Sequence, residues 1–304
     1  MKVLVTGGAG YIGTELIYKL DANSDITEVI VYDNLSRPNY NLFIGVSKLS
    51  SKIKFVERDI LDTRNLKQSL KGVQVVYHLA AKVSTPFADQ NAHYFEQINN
   101  WGTSELIQAI EESDVKKFIY LSSVSVYGAT SGQVDVDNGV NPRTFYGISK
   151  MRGEEHASRL LGKIPTYIFR CGNVYGYSKS MRFDAVINKF MIEANFKGRI
   201  NINGDGTQVR SFVHINEVSS ILNNIINSDL NSGIYDLVSK NLKINDIVGV
   251  LHEVFNDLEM IYVNQHLKLR EINVKPNKVI LSHGSVKQQS FTDELKTFKD
   301  NFSF

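Results

Sequence analysis

Short apolar runs rich in β-branched residues alternate with amphipathic helical stretches through the first half of this 304-residue chain. Six of these runs are bounded by turns or helices, at residues 2–6, 28–32, 54–57, 73–79, 118–122 and 166–170. Strands that are apolar along most of their length are typical of a parallel sheet covered by helices on both faces. The alternation therefore predicts an α/β fold with a doubly wound parallel sheet.

The second part of the chain has a different pattern. After Arg170 the alternation ends and glycine-containing loops become frequent. We therefore predict a main domain formed by residues 1–171, together with about 213–238, and a smaller mixed C-terminal lobe formed by residues 172–212 and 239–304. The two longest helices are predicted at 94–112 and 146–160, where apolar residues recur at helical spacing. We expect a cleft between the two parts.

The composition excludes several classes of protein. The 34 basic and 32 acidic residues are interspersed and give a net charge of +2, so nucleic acid is not an expected partner. The single cysteine, Cys171, rules out internal disulfides and fits a reducing compartment. No apolar run approaches the roughly 18 residues of a membrane span. Because the first residues lead directly into a strand, we expect no signal peptide and a cytoplasmic location. The spacing of the seven histidines predicts no metal site.

A glycine-rich turn follows the first strand. Gly7, Gly10 and Gly13 stand where a tight turn, close approach to a pyrophosphate and close helix packing each require glycine. Asp33 ends the second strand twenty residues after Gly13, where a carboxylate can bind the adenosine ribose diol. A carboxylate there would repel a 2′-phosphate, which favours NAD, whereas the nearby Arg37 could accommodate NADP. The alternative for Asp33 is a turn-forming residue.

Asp59 follows the third predicted strand. Its carboxylate could accept a hydrogen bond from the adenine amino group. A helix N-cap or a turn residue is nearly as good an interpretation.

Tyr146 and Lys150 are four residues apart in a predicted helix. Side chains at this spacing share one helix face, so an ammonium can stabilise a phenolate beside it. A tyrosine that acts as a base near neutrality needs a pKa lowered by about three units, or about 4 kcal/mol. A buried lysine and a cationic nicotinamide could supply this stabilisation. The spacing alone occurs by chance in many helices, but together with the glycine turn it indicates redox chemistry on a nicotinamide.

Several motifs occur in one order along most of the chain. They are Gly7 to Gly13, Asp33, Asp59-Ile60, His78-Leu79-Ala80-Ala81, Asn99, Ser122 to Gly128, Tyr146 with Lys150, Arg170, Asn173 to Gly176, Gly204-Asp205-Gly206 and Arg210. This series resembles the extended short-chain dehydrogenases/reductases, and within them the NAD-dependent nucleotide-sugar epimerase/dehydratase group. The resemblance implies a Rossmann-type domain, NAD as cofactor, a nucleotide-sugar substrate and a substrate-binding C-terminal lobe.

The resemblance also implies roles for individual residues. Tyr146 would be the acid/base on the sugar hydroxyl, Lys150 would lower its pKa and hold the nicotinamide ribose, and Ser123 would bind the reacting oxygen. The implied cofactor contacts are Gly7, Gly10, Tyr11, Ile12, Gly13, Asp33, Asn34, Asp59, Ile60, Leu79, Ala80, Ala81, Asn99, Tyr146 and Lys150. The implied substrate contacts are Ser123, Asn173 and Arg210, with Arg270 and Arg182 as weaker candidates for the second phosphate contact.

The segment after Ser123 helps to choose the reaction. Dehydratases of the group carry an Asp-Glu pair where this chain has Val124 and Ser125, so dehydration is disfavoured. The absence of a glutamate near Ser125 argues more weakly against decarboxylation. We expect C4 epimerisation of a UDP-hexose. The alternatives are an NAD(P)H-dependent 4-keto nucleotide-sugar reductase and a non-catalytic NAD-sensing protein.

Some positions depart from the family pattern. Tyr177 replaces the usual proline after Val-Tyr-Gly, and Ser211 follows Arg210 where an aspartate is usual. These changes lie in the predicted substrate lobe, so they leave the sugar and the base open. The two long helices predict a homodimer through a four-helix interface. Residues 284–304 have no assigned role.

Overall fold

The computed structural model of the protein describes residues 1–37, 40–44, 48–83, 92–264, 266, 269, 271–284 and 289–302. The strands in this part of the chain are β1 Lys2–Thr6, β2 Glu28–Asp33, β3 Ile53–Glu57, β4 Val75–His78, β5 Lys117–Ser123, β6 Gln133–Val134, β7 Thr166–Cys171, β8 Asn173–Tyr175, β9 Arg199–Asn203, β10 Val209–His214, β11 Gly233–Leu237, β12 Lys240–Lys243, β13 Glu259–Val263 and β14 Asn273–Val274. The α-helices are α1 Tyr11–Ala22, α2 Thr63–Ser69, α3 Ala92–Phe95, α4 Gly102–Glu111, α5 Phe145–Ser158, α6 Val186–Lys197, α7 Ile215–Asn224, α8 Ile244–Val254, α9 Lys278–Leu281 and α10 Phe291–Asp300.

The main sheet runs in the order β11-β7-β5-β4-β1-β2-β3, and every neighbouring pair is parallel. This order confirms the predicted Rossmann-type fold class. The chain reverses its direction of winding at β1, which lies between β2 and β4. In such sheets the ligand crevice lies beyond the carboxyl ends of the strands at this reversal. The carboxyl ends of β1 and β5 therefore face the same crevice.

Helices cover both faces of the main sheet. On one face α1 and α7 bury apolar side chains such as Leu16 and Ile221, and on the other α2, α4 and α5 bury side chains such as Leu106. Each such side chain contributes about 1.5–3 kcal/mol of burial free energy. The helix predicted at 94–112 is α3 and α4 joined by a π-helical segment, Glu96–Trp101. The buried Asn99 lies in this segment, and π segments are frequent at functional sites.

The remaining strands form small sheets in a mixed lobe. One sheet has the order β12-β10-β8, and β9 pairs with β13 and β6 with β14. Helices α6, α8 and α10 share an apolar core with this lobe. Glu294 in α10 accepts hydrogen bonds from the Tyr175 hydroxyl and, at 2.6 Å, from Lys240 Nζ. The C-terminal helix therefore ties β8 to β12. None of the described helices is both long and apolar enough to cross a membrane.

The predicted division into two domains stays a prediction. Strand β11, which lies within the 213–238 segment, is an edge strand of the main sheet beside β7. Strand β10, whose last residues overlap that segment, belongs instead to the small sheet with β8 and β12.

Candidate active site

The glycine turn between β1 and α1 is packed too closely for side chains. A Cβ atom on Gly7 would lie 2.5 Å from the backbone nitrogen of Ala80, and one on Gly13 would lie 2.4 Å from the Gly7 oxygen. Gly7 also has a φ of +70°. Gly10 precedes α1 and supplies no side-chain cap, so N–H groups of the first turn, which begins with Tyr11 and Ile12, can bind an anion. This cradle fits the pyrophosphate of a dinucleotide.

Asp33 is fixed beside the cradle at the end of β2. Its Oδ2 accepts a hydrogen bond from the Ala9 amide at 3.0 Å, and its Oδ1 accepts one from the Leu35 amide at 2.9 Å. Burial raises the pKa of the Asp33 carboxyl, and these two hydrogen bonds oppose the rise. The carboxylate thus has a set orientation toward the crevice side of β2. Its contact with a ribose stays a prediction.

Asp59 closes a turn after β3. Its two carboxylate oxygens accept hydrogen bonds from Asn34 Nδ2 at 2.7 Å and from the Leu61 amide at 2.9 Å. The neighbouring Ile60 is buried against Gly102 of α4. These contacts support the interpretation of Asp59 as a turn residue. Contacts of Asn34, Asp59 and Ile60 with the adenosine part of NAD stay predictions.

The segment after β4 lines the opposite wall of the cradle. The Leu79 amide donates to the Thr6 oxygen at 3.0 Å, and the Ala80 amide donates to the Thr6 hydroxyl at 3.3 Å. Leu79, Ala80 and Ala81 therefore lie beside the glycine turn, where the resemblance places cofactor contacts.

Asn99 links this wall to α5. Its side chain binds both backbone groups of Lys82, at 2.8 and 2.9 Å, and donates to the Ser149 hydroxyl at 3.0 Å. The side-chain amide of Asn99 is thus fully buried and makes its hydrogen bonds with other residues of the protein. This geometry makes Asn99 a residue that positions the helix carrying Tyr146, and its predicted contact with the cofactor stays untested.

Tyr146, Ser123 and Lys150 come together at the carboxyl end of β5. Ser123 is the last residue of that strand, and its hydroxyl lies near enough to the Tyr146 side chain to lower the pKa of the phenol. One turn along α5, Lys150 Nζ donates to the Leu121 oxygen at 2.6 Å and lies 4.2 Å from the centroid of the Tyr120 ring. The structure therefore brings together the three residues predicted to be catalytic.

The electrostatic environment of this group differs in one respect from the expectation. Burial raises the pKa of Tyr146, while the charge of Arg182 and the nearby Ser123 hydroxyl lower it part of the way back. Burial lowers the pKa of Lys150 to about 7, against the opposing effect of Glu154. The Arg182 cation therefore favours the Tyr146 phenolate. That Lys150 does so in the complete complex stays a prediction.

A buried polar network that the sequence did not indicate lies behind this site. Glu154, one turn after Lys150, accepts hydrogen bonds from the Ser122 hydroxyl at 2.5 Å and from Arg170 Nη2 at 2.9 Å. Arg170 Nη1 in turn donates to the Tyr127 hydroxyl at 3.0 Å. The network joins α5 to β5 and β7 and so fixes the helix that carries Tyr146. The spacing of Glu154 from Lys150, again four residues, was the available signal.

Two of the predicted substrate residues lie in the small lobe. Asn173 and Arg210 are on the neighbouring strands β8 and β10, and Asn173 Nδ2 donates to the Ser211 oxygen at 3.0 Å. Arg182, proposed from sequence only as a weaker phosphate ligand, lies within electrostatic reach of Tyr146. Arg270 lies outside the described residues. The substrate roles of Asn173, Arg210 and Arg270 stay predictions.

Comparisons with known proteins show which family the chain belongs to. The sequence model described as "NAD dependent epimerase/dehydratase family" matches residues 3–237. The chain is 33% identical over 269 residues to the Methanocaldococcus jannaschii protein named "Putative UDP-glucose 4-epimerase", covering 86% of this chain and 85% of that protein. It is 29% identical over 244 residues to the human dTDP-D-glucose 4,6-dehydratase, covering 78% of this chain and 68% of that protein.

A solved structure shows the same architecture. UDP-glucuronic acid 4-epimerase from Bacillus cereus, in complex with UDP-glucuronic acid and NAD, superposes with a TM-score of 0.84 at 27% identity. The match covers 99% of this chain and 98% of that one. The chain therefore belongs to the NAD-dependent epimerase/dehydratase family of extended short-chain dehydrogenases/reductases, and NAD is its cofactor.

Proposed function

We propose that the protein is a nucleotide-sugar epimerase that inverts C4 of a UDP-hexose through a 4-keto intermediate. The observation that carries this proposal is the placement of Tyr146 and the buried Lys150 one turn apart on α5, with Ser123 at the carboxyl end of β5, the sheet edge that holds the glycine turn. A tyrosine and a hydroxyl donor on one side of a cleft suit proton transfer to and from a secondary alcohol.

The proposed roles of the residues follow from their contacts. NAD supplies the acceptor for the hydride that leaves C4 and the donor when it returns. Tyr146 removes the proton of the C4 hydroxyl and later gives it back, and Ser123 donates a hydrogen bond to the same oxygen. The Arg182 charge favours the phenolate that this step requires. Inversion needs the 4-keto sugar to present its other face before hydride returns.

The turn after β5 favours epimerisation over dehydration. Val124 is a buried apolar residue, and the amide of Ser125 donates to the Ser123 hydroxyl at 3.2 Å. Neither side chain carries the carboxyl group that dehydration next to a 4-keto group uses as acid and base. An oxidised sugar held in this site has Tyr146 for proton transfer but no acid at these two positions to expel a hydroxyl.

The test is proton NMR of the purified protein with catalytic NAD and UDP-glucose, UDP-glucuronic acid or UDP-N-acetylglucosamine, with absorbance at 340 nm followed in parallel. We expect inversion at C4 with no net formation of NADH. Stoichiometric consumption of NADH on a 4-keto sugar would instead establish a reductase. A 4-keto-6-deoxy product would establish a dehydratase, and tight NAD binding without turnover of any of these compounds would favour the sensor.

We also propose that the protein forms a homodimer through its two long helical segments. Tyr94, Trp101 and Phe145 are aromatic residues of these segments with side chains that are 47%, 60% and 44% exposed. Large exposed aromatic groups on adjacent helices suit an interface. Light scattering should give a dimer mass for the wild type and a lower average mass for Trp101→Ser. Val279→Ser, at a comparably exposed residue elsewhere, is the matched control.

A further inference from the structure

Residues 176–184, which we name the strap, connect β8 to α6 and include the unusual Tyr177. The strap packs along α1, the helix that opens at the glycine turn. Thr14 of α1 donates a hydrogen bond from its hydroxyl to the Ser180 hydroxyl at 2.7 Å, and Ser178 donates from its hydroxyl to the Tyr11 oxygen at 3.3 Å. Ser178, Ser180 and Thr14 are fully buried. The strap is therefore joined to α1 by polar contacts shielded from water.

Tyr11 contacts both the start of the strap and the first turn of α6, the helix that follows the strap. The Tyr11 hydroxyl donates to the Gly176 oxygen at 2.6 Å and accepts a hydrogen bond from Asn188 Nδ2 at 3.2 Å. Asn188, in the first turn of α6, also accepts one from the Gly176 amide at 3.1 Å. Because Tyr11 begins the helix whose first turn forms the pyrophosphate cradle, the strap and the cradle share one network.

The strap also contacts the loop that follows β2. Asn41 Nδ2 donates to the Lys179 oxygen at 2.8 Å, and Lys179 Nζ donates to the Tyr18 hydroxyl at 3.1 Å. The Lys179 ammonium also lies 4.5 Å from the centroid of the Tyr18 ring. The strap thus reaches from the small lobe across α1 to the adenosine side of the cleft.

The last residues of the strap carry charged side chains that interact with Arg37 and with two tyrosines of the cleft. Asp184 accepts a hydrogen bond from Arg182 Nε at 3.2 Å, and its Oδ2 lies 3.7 Å from Arg37 Nη2. Arg37 is four residues after Asp33, at the ribose end. At the other end, the Arg182 charge acts on both Tyr11 and Tyr146. Residues 182–184 therefore connect the chemical end of the cleft to the ribose end.

We propose that the contacts of the strap with the loop after β2 slow the release of bound NAD and so retain it from one turnover to the next. The proposal rests on the proposed function, because an epimerase regenerates its NAD in each cycle and needs no exchange. A reductase has to exchange the cofactor after every turnover. Release of the dinucleotide requires the bridge between Asp184 and Arg37 and the contact between Asn41 and Lys179 to open.

The test measures release of radiolabelled NAD into excess unlabelled NAD, without any sugar. The double variant Asn41→Ala/Asp184→Asn removes the bonds from the strap to the loop after β2 and leaves the contacts with α1 in place. We expect NAD release at least tenfold faster than from the wild type. The control is Glu112→Gln, which loses the exposed ion pair with Lys67 on the outer helices and should release NAD at the wild-type rate.

Equal release rates for the double variant and the wild type would overturn the proposal, as would wild-type release faster than turnover. If thermal unfolding shows that the double variant is not folded, Lys179→Ala, which removes the bond to Tyr18, carries the same expectation with a smaller factor of about threefold. Slow release without turnover of a sugar would refute the proposed function alone. Epimerisation with rapid exchange of NAD would refute the strap proposal alone.

Discussion

The cofactor half of the cleft and the small lobe hold their functional groups in different ways. In the cofactor half Lys150 is 2% exposed, Ser123 is 8% exposed, and both oxygens of Asp33 are bound by backbone amides. In the small lobe Asn173 is exposed and Arg210 is half-buried on a strand of a small sheet. Fixed, water-free groups suit proton and hydride transfer, which depends on short distances. Half-exposed groups on short strands suit recognition, which can vary without loss of the chemistry.

The strongest test of this contrast is Tyr146→Phe. Removing the hydroxyl takes away the proposed acid/base, so kcat should fall by about 10²–10⁴. Binding of NAD, measured by calorimetry, should stay within a few-fold of the wild type. Tyr235→Phe is the matched control, because the Tyr235 hydroxyl bonds only to the Asn231 oxygen in the described part of the chain. A Tyr146→Phe variant that epimerises at the wild-type rate contradicts the assignment.

Gly13→Ala tests the cradle. The added methyl group would lie 2.4 Å from the Gly7 oxygen, so the turn has to shift and NAD affinity should fall by at least about 100-fold. Gly249→Ala in α8 is the control, since a Cβ there meets nothing within 4 Å and alanine favours a helix. Calorimetric titration with NAD measures both. Affinity of Gly13→Ala within threefold of the wild type would show that the turn is not the nucleotide site.

Lys150→Met tests the cost of the buried ammonium. The folded pKa of Lys150 is lowered to about 7, against 10.5 for a free lysine, so the unfolded chain binds more protons between these values. Protonation of Lys150 therefore lowers the free energy of unfolding of the wild type by about 1.4 kcal/mol for each pH unit as the pH falls toward 7. Lys150→Met should unfold at a higher denaturant concentration than the wild type at pH 7, and the difference should shrink by pH 9. A constant difference would indicate a lysine that stays charged.

Arg210→Ala tests the small lobe and should have the smallest effect. The variant loses the proposed ion pair between the Arg210 guanidinium and the substrate diphosphate. KM for the UDP-sugar should therefore rise about tenfold, while kcat stays within a few-fold of the wild type. Arg199→Ala, on the exposed edge of β9, is the control. A fall in kcat without a change in KM would indicate that Arg210 acts in the chemical step rather than in substrate binding. That result would contradict the contrast between the two regions.

Local patterns in the sequence predicted six of the seven strands of the main sheet, because most of these strands are runs of buried apolar residues. The six predicted strands correspond to β1, β2, β3, β4, β5 and β7, with differences of one or two residues at their ends. The short strands of the small lobe, such as β6 and β14 with two residues each, have no periodicity to detect. Their pairing depends on contacts between distant segments.

The site shows the same division. Tyr146 and Lys150 were identifiable because helical spacing places them on one face. Arg182 and the strap were not, since their partners in α1 are about 165 residues away in the chain and no local pattern records such contacts. The ion pair of Glu154 with Arg170 was missed for a related reason, because its two members lie on a helix and a strand.

The C-terminal helix α10 has a consequence for how the protein is made. Glu294 joins Tyr175 to Lys240, and Leu295 and Phe298 complete the core of the small lobe. Chains emerge from the ribosome N-terminal end first and fold domain by domain. A nascent chain that has emerged through Leu237 contains every described strand of the main sheet, whereas the small lobe lacks α10 until residues 291–300 have emerged. Premature termination before α10 would therefore leave the main sheet and its glycine turn without a complete small lobe.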